Sequence, residues 1–144
     1  MRIFLMTAMV IAMIGLTACS ADKLSEDKQH YVDQAVKSGV YWLQLVDAGK
    51  YDSSWVEASP IFKAAVTQKR WSGQMQAIRR PMGSVKSRKV KSTQYRTEMP
   101  GAPDGDYVII QFDTEFEHKK SAVETLTPAK NAQSEWRISG YYIK

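Results

Sequence analysis

Cysteine and histidine, which often act as nucleophiles, general bases or zinc ligands, are scarce in this 144-residue chain. Cys19 is the single cysteine, and the two histidines, His30 and His118, lie far apart in sequence. The chain therefore has no pair of histidines one helical turn apart, which is a common zinc-binding spacing. No serine stands in a Gly-x-Ser-x-Gly elbow, and no glycine-rich loop joins a strand to a helix to hold phosphate. We predict no catalytic residues, no metal site and no cofactor.

The surroundings of Cys19 indicate a different chemistry. Cys19 follows Met1-Arg2, an unbroken small and apolar run over residues 3–15, and then Leu16-Thr17-Ala18. This segment resembles a bacterial lipoprotein signal peptide. The resemblance implies that the Cys19 thiol receives a diacylglycerol, that cleavage falls between Ala18 and Cys19, and that the new amino group is acylated. A plain secretory signal or a retained anchor is the alternative, but neither explains a cysteine at this place.

This interpretation divides the chain into three parts. Residues 1–18 are the signal peptide, which is removed, residues 19–25 are a lipidated tether, and residues 26–144 form a single domain. Several acyl chains on Cys19 would make attachment to the membrane effectively permanent. The residue after Cys19 is Ser20. An aspartate at this position would resemble an inner-membrane retention signal of Gram-negative lipoproteins. In a host with an outer membrane, we therefore expect the protein on the periplasmic face of that membrane.

Basic residues are concentrated in the middle of the chain, whose formal net charge is +5. Ten lysines and arginines and no acidic residue occur from Lys63 to Arg96. Such a block is typical of a surface that meets an anionic partner. Because the leader implies export, we expect no nucleic acid but an anionic envelope component or a protein partner. The candidate patch consists of Arg79, Arg80, Arg88 and Lys89. The alternative is a solvated helix face and a basic strand, with salt bridges to acidic segments elsewhere.

The first half of the chain predicts helices. Ser25 can cap a helix whose apolar stripe continues to Val46, and Gly49 can end it. A packed domain without a disulfide needs large apolar side chains, and the four tryptophans are spread along the chain. We expect them in the core. They are Trp42, Trp55, Trp71 and Trp136.

Two further helices are predicted before residue 84. Asp52-Ser53-Ser54 can cap a short helix. Pro60 suits the first turn of the next helix, where the missing amide proton costs little. This third helix is expected to continue through Ile78 and to stop at residues 81–83, with a bend or break at Gly73.

From residue 85 onward the pattern predicts strands. The clearest strand alternates apolar and polar side chains from Tyr107 to Phe116. A turn rich in proline and Asp-Gly precedes it, and a short hairpin follows it. The four strands are predicted over residues 85–98, 107–116, 122–127 and 135–143. Consecutive strands with short connections favour an antiparallel meander, and helices must cover one of its faces. The predicted fold class is α+β, with N-terminal helices packed on a curved four-stranded meander.

Several of these residues resemble landmarks of the bacterial envelope family called domain of unknown function 4019, over about residues 35–144. In the helical half they are Trp42-Leu43, Leu45, Asp47, Gly49, Tyr51, Ser54-Trp55, Trp71, Arg79 and Gly83. In the strand half they are Arg88, residues 100–108, Glu124-Thr125, Trp136-Arg137 and residues 140–143. The resemblance implies a small exported or lipid-anchored domain with no assigned activity. The layout is also similar to a nuclear-transport-factor-two-like cone.

Two functions are compatible with this pattern. The first is a non-catalytic envelope module, not an enzyme, which binds a partner through the basic segment. The alternative is a small-molecule binder or an enzyme that uses a pocket between the helices and the concave sheet. Such sites usually contain clustered titratable groups, and the sequence offers no Asp-His pair or similar dyad.

Overall fold

The computed structural model describes residues 18–144, and it describes the side chains of Lys23 and of residues 25–144. Apart from Ala18, the predicted signal peptide lies outside the described residues. The helices are α1 (Ala18–Asp47), α2 (Tyr51–Glu57), α3 (Pro60–Ala65) and α4 (Gln68–Met82). The strands are β1 (Val85–Arg96), β2 (Tyr107–Phe116), β3 (Lys119–Lys130) and β4 (Trp136–Ile143). The predicted α+β class is confirmed.

The sheet is the predicted antiparallel meander, with the strand order β1-β2-β3-β4. In β2, Val108, Ile110, Phe112, Thr114 and Phe116 are all buried on one face, because the helices cover that side. The residues of β2 on the opposite face are more exposed, apart from Tyr107 at the start of the strand. The alternation in β2 therefore sets which face of the sheet meets the helices. β1 and β4 are the two edge strands.

Helix α1 begins earlier than predicted. It is continuous from Ala18, so residues 19–25 are helical and Ser25 lies inside the helix instead of capping it. The described side chains up to His30 are exposed, and packing against the core begins at Tyr31. Gly49 ends the helix as predicted, with a φ of 71° and an amide that donates to the Val46 carbonyl over 3.0 Å.

The break after α3 also differs from the prediction. The chain turns at Val66 and Thr67, whereas Gly73 lies within α4. The Thr67 hydroxyl accepts a hydrogen bond from the Arg70 amide over 3.3 Å, which is the contact of an N-cap. The Trp55 indole donates to the Val66 carbonyl over 2.8 Å and fixes the turn. Pro60 begins α3, as predicted.

Aromatic rings fill the space between the helices and the sheet. Trp71 packs edge-on against Phe62, with ring centroids 4.9 Å apart, and Trp42 lies 5.6 Å from Tyr141. Ser54 accepts hydrogen bonds from both indoles, through its carbonyl from Trp42 and through its hydroxyl from Trp71. Trp42, Trp71 and Trp136 are buried, and Trp55 is half-buried against the core. The alternative prediction was a pocket between the helices and the sheet. These side chains occupy that space.

Candidate functional site

Two arginines and two carboxylates meet below the end of α1. We call Asp47, Arg79, Arg88 and Glu124 the arginine–carboxylate cluster. They come from α1, α4, β1 and β3 respectively. The cluster therefore links two helices to two strands of the sheet.

Glu124 is the centre of the cluster and is wholly buried. Its Oε2 accepts from the Arg88 Nε over 2.6 Å and from the Thr114 hydroxyl over 2.6 Å. Its Oε1 accepts from the Tyr141 hydroxyl over 2.7 Å and from the Arg88 Nη2 over 3.2 Å. Burying a carboxylate is costly unless charged and polar donors replace its water, and these four contacts do so.

Asp47 completes the cluster at the surface side. Its two oxygens accept from the Arg88 Nη1 over 2.6 Å and from the Arg88 Nη2 over 2.9 Å. The Arg79 Nη2 donates to the same carboxylate over 2.7 Å. Arg88 thus bridges both carboxylates with its planar guanidinium, a geometry that a lysine ammonium does not reproduce.

Arg79 is only 5% exposed and is less completely paired. Its guanidinium lies 4.8 Å from the centre of the Phe116 ring, and its Nη1 lies 3.9 Å from the Glu124 Oε1. Its Nε and Nη1 have no hydrogen-bond partner among residues 18–144. Removing Asp47 would take away the hydrogen-bonded carboxylate of this buried cation, and removing Glu124 would leave Arg79 and Arg88 to share Asp47. Both changes are unfavourable, because a charge in an apolar interior needs compensation.

The contacts of the cluster shift the pKa values of Asp47, Arg88 and the neighbouring Tyr141. Burial tends to raise the pKa of Asp47, but hydrogen bonds and charges from Arg88 and Arg79 outweigh it and lower that pKa. The pKa of Arg88 is raised by its hydrogen bonds to Asp47 and Glu124, which outweigh the opposing effect of burial. Burial, together with the charge and hydrogen bond of Glu124, raises the pKa of Tyr141. Asp47 and Arg88 are therefore held charged and Tyr141 is held neutral, as the network requires.

A polar cleft opens beside the cluster. It encloses about 530 Å³, and Asp47, Tyr51, Gln76, Arg79 and Arg80 are among its lining residues. This volume is within the range of small-molecule sites. Asp47, however, is already occupied by two arginines, so a ligand would have to compete with an existing ion pair.

The four residues of the predicted basic patch do not form one exposed surface. Arg79 and Arg88 belong to the cluster, and their guanidinium groups are engaged by Asp47 and Glu124. Only Arg80 and Lys89 are exposed. For Arg79 and Arg88, the structure agrees with the alternative of salt bridges to acidic segments elsewhere.

Asp47 and Glu124, the acidic half of the cluster, were not predicted as site residues from the sequence. Glu124 lies between Ala122 and Leu126 on the helix-facing side of β3, and all three are buried. A lone glutamate at an inward position of an apolar strand indicates a buried ion pair. That signal was present, but the charged partners of Glu124, Arg88 and Arg79, are 36 or more residues away in the chain, and the contact depends on strand register and helix packing.

The remaining predicted residues lie apart from the cluster. Cys19 lies in α1, and its side chain is not among those that the structure describes. His30 and His118 are both exposed. Within residues 18–144, no three His, Cys, Asp or Glu side chains are grouped closely enough to hold a metal ion. No helix in this part of the chain is both long and apolar enough to cross a membrane.

Comparison with known families gives one match. The model of a family described as "Protein of unknown function (DUF4019)" matches residues 38–141. The chain belongs to the DUF4019 family. The matched segment contains every member of the cluster and Tyr141, so this DUF4019 domain carries the whole network within the shared region. No curated protein and no solved structure matches this DUF4019 chain, and the likeness to a nuclear-transport-factor-two-like cone stays a prediction.

Proposed function

We propose that this DUF4019 protein is a lipid-anchored domain of the cell envelope that acts by binding a partner and not by catalysis. The observation that carries the proposal is Cys19, which follows Leu16-Thr17-Ala18 and lies in α1. The side chains of Lys23 and of residues 25–30 in this helix are exposed. An acyl group there would be attached to a helical stalk. From Cys19 to His30 that stalk would extend roughly 17 Å at about 1.5 Å per residue.

The packing of α1 defines which end of the domain would lie nearest to the lipid. Tyr31, the first residue of α1 to contact the core, lies 6.2 Å from Tyr95 and 5.9 Å from Trp136 between ring centroids. The Lys130 ammonium lies 3.8 Å from the Tyr31 ring centre. The end of β1 and the start of β4 would therefore face the membrane, and the arginine–carboxylate cluster would lie at the other end.

The state of the titratable groups favours binding over catalysis. General acid–base catalysis needs a group that can exchange its proton with a substrate near neutral pH. The carboxylates of the cluster are instead saturated by arginine, tyrosine and threonine donors. Exposed cations such as Arg80, Lys89 and Arg96 have no ion-pair partner among the described residues, so they are available to an anionic partner.

Native mass spectrometry of the full-length protein, gently extracted from bacterial membranes, tests this proposal. We expect the mass of residues 19–144 plus acyl groups, and no further small molecule. The Cys19→Ser variant is the control, and it should lack the acyl mass and leave the membrane fraction. An unlipidated wild-type mass would contradict the anchor. A reproducible extra small-molecule mass would contradict binding of a macromolecular partner and would direct attention to the cleft beside Arg79.

A further inference from the structure

We propose that β1 receives an extended acidic segment of a partner protein, which adds to the sheet as a fifth strand. The proposal rests on the binding function proposed above and specifies its partner. In this mode, main-chain hydrogen bonds provide affinity and alternate side chains provide specificity. β1 has the free edge, the unpaired charges and the exposed apolar residue that such a partner needs.

The outer edge of β1 is free along the strand. β1 is a terminal strand of the sheet and is 12 residues long, and nine of its residues are exposed. Among residues 18–144, the backbone hydrogen bonds of β1 go to β2, and no loop or helix bonds to its other side. The opposite edge differs, because the Ser59 amide donates to the Ile138 carbonyl of β4 over 2.9 Å. An added strand would therefore bind at β1.

The charges of β1 specify an acidic partner. Lys89 lies opposite Asp113, and Arg96 lies opposite Tyr107, which places both on the face of the sheet that the helices do not cover. Asp113 is bound by Lys91 over 3.0 Å, and neither Lys89 nor Arg96 has an ion-pair partner among the described residues. Acidic side chains on the same face of an added strand would pair with them across the ladder.

The same charges oppose pairing between two copies of this chain. Lysines on an edge strand are a common protection against edge-to-edge aggregation, because a second basic edge is repelled. An acidic strand is instead attracted. Lys89 and Arg96 thus discriminate between partners, as charge patterns in specific interfaces do.

The helix-facing side of β1 indicates which residues of the partner segment alternate with its acidic residues. Val90 lies opposite Phe112 on the helix-facing side, but it is 47% exposed because it stands at the edge of the cover. A β-branched side chain on the partner would bury it. The register runs without interruption from Ser92 to Arg96, after an irregularity between Val90 and Ser92. Because Lys89 and Val90 lie before this irregularity and Arg96 lies after it, the expected partner segment alternates acidic and apolar residues over about eight positions.

The experiment uses the full-length protein in detergent and an acetylated eight-residue peptide that alternates glutamate and valine. Binding is measured by fluorescence anisotropy, and amide hydrogen exchange of residues 92–96 is measured by mass spectrometry. We expect saturable binding with slower exchange in β1. A peptide of the same sequence with every backbone amide nitrogen methylated keeps its charge but has no main-chain donor for strand pairing, and we expect it not to bind.

Two charge-reversal variants separate β1 from the general basic character of the chain. Lys89→Glu with Arg96→Glu should weaken peptide binding by at least about tenfold, because two favourable pairs become repulsive. Lys69→Glu with Arg70→Glu makes the same change of charge on exposed residues of α4, and it should leave binding within about twofold. Equal weakening by both variants, or equal binding of the methylated peptide, would overturn strand addition.

Other outcomes identify another partner. Binding to vesicles that contain phosphatidylglycerol, without binding of the peptide, would overturn the proposal in favour of a lipid surface. The mass of Cys19 is measured on the same preparation. If the protein is acylated but does not bind the peptide, the β1 proposal is refuted and the lipid anchor is supported. If the protein is unlipidated but binds the peptide, the lipid anchor alone is refuted.

Discussion

Glu124 shows how a single buried charge organises this domain. It is wholly buried, and its donors come from β1, β2 and β4. Replacing one partner of a buried ion pair typically costs more than the pair contributes, because the other charge stays behind without compensation. The strongest effect of a conservative substitution is therefore expected at Glu124.

The variant Glu124→Gln keeps the size of the side chain and removes its charge. We expect the free energy of unfolding to fall by about 3 kcal/mol, because Arg79 and Arg88 would share the single carboxylate of Asp47. That is a large part of the roughly 5–15 kcal/mol by which domains are stable. Urea unfolding followed by tryptophan fluorescence measures the change.

The matched control is Glu115→Gln, which removes the same charge from an exposed pair with Lys120. Surface ion pairs contribute about 0–1 kcal/mol, so this variant should change the free energy of unfolding by less than about 1 kcal/mol. Equal losses for the two variants would mean that the cluster does not hold the fold together.

At the scale of elements, the turn between α4 and β1 docks on the turn between β2 and β3. The His118 amide donates to the Met82 carbonyl over 2.9 Å, and the Glu117 amide donates to the Ser84 carbonyl over 2.8 Å. Between these bonds, Gly83 has a φ of 75°. A Cβ on Gly83 would lie 2.9 Å from the Glu117 Cβ, so this contact depends on glycine.

Three glycine-to-alanine variants separate strain, contact and helix propensity. Gly83→Ala should lower the free energy of unfolding by about 2–3 kcal/mol, because backbone strain and a clash with the hairpin add. Gly49→Ala meets nothing within 4 Å and should cost about 1 kcal/mol from its positive φ alone. Gly73→Ala lies inside α4 with open space around it, so it should raise stability by up to about 1 kcal/mol. Thermal unfolding ranks the three, and a loss at Gly73 would contradict the continuous helix.

Elements with a strong local signal were predictable from the sequence. The bounds of β2 are those predicted, because five apolar or small residues alternate there without interruption. The start of α3 at Pro60 follows from the restricted φ of proline. The break at Val66 and Thr67 was not predicted, because the Trp55 indole, 11 residues before Val66, helps to fix it, and no local pattern contains that contact.

The cluster was not predictable for the same physical reason. Arg88 reaches Glu124 through the register between three strands, and it reaches Asp47 through the packing of α1 across the sheet. Apart from Glu124, each residue of the cluster by itself looks like a surface charge. The basic block therefore suggested one anion-binding patch, although half of the candidate patch neutralises buried carboxylates.

At the scale of the whole molecule, the described residues 18–144 consist of a packed domain and the first part of α1, which extends from it. The described side chains from Lys23 to His30 are exposed, whereas Ala35 and Trp42 are buried in the core. In this part of α1 the Lys28 ammonium lies 5.9 Å from the Tyr95 ring centre, but no described side chain is buried. Tertiary packing supplies most of the stability of helices in proteins, so this segment depends mainly on its intrinsic helix propensity. The first part of α1 is therefore expected to unfold separately from the domain.

Proline substitutions at two exposed positions of α1 test this separation. Glu26→Pro should change the free energy of unfolding by less than about 1 kcal/mol, because α1 can begin again at residue 26, where proline is tolerated in a first turn. Lys37→Pro lies in the packed part, between the buried Ala35 and Trp42, and should cost about 3 kcal/mol or more. Urea unfolding and far-ultraviolet circular dichroism of both variants measure stability and helix content. If Glu26→Pro destabilised the domain as much as Lys37→Pro, the first part of α1 would belong to the cooperative fold and could not serve as an independent stalk for the lipid.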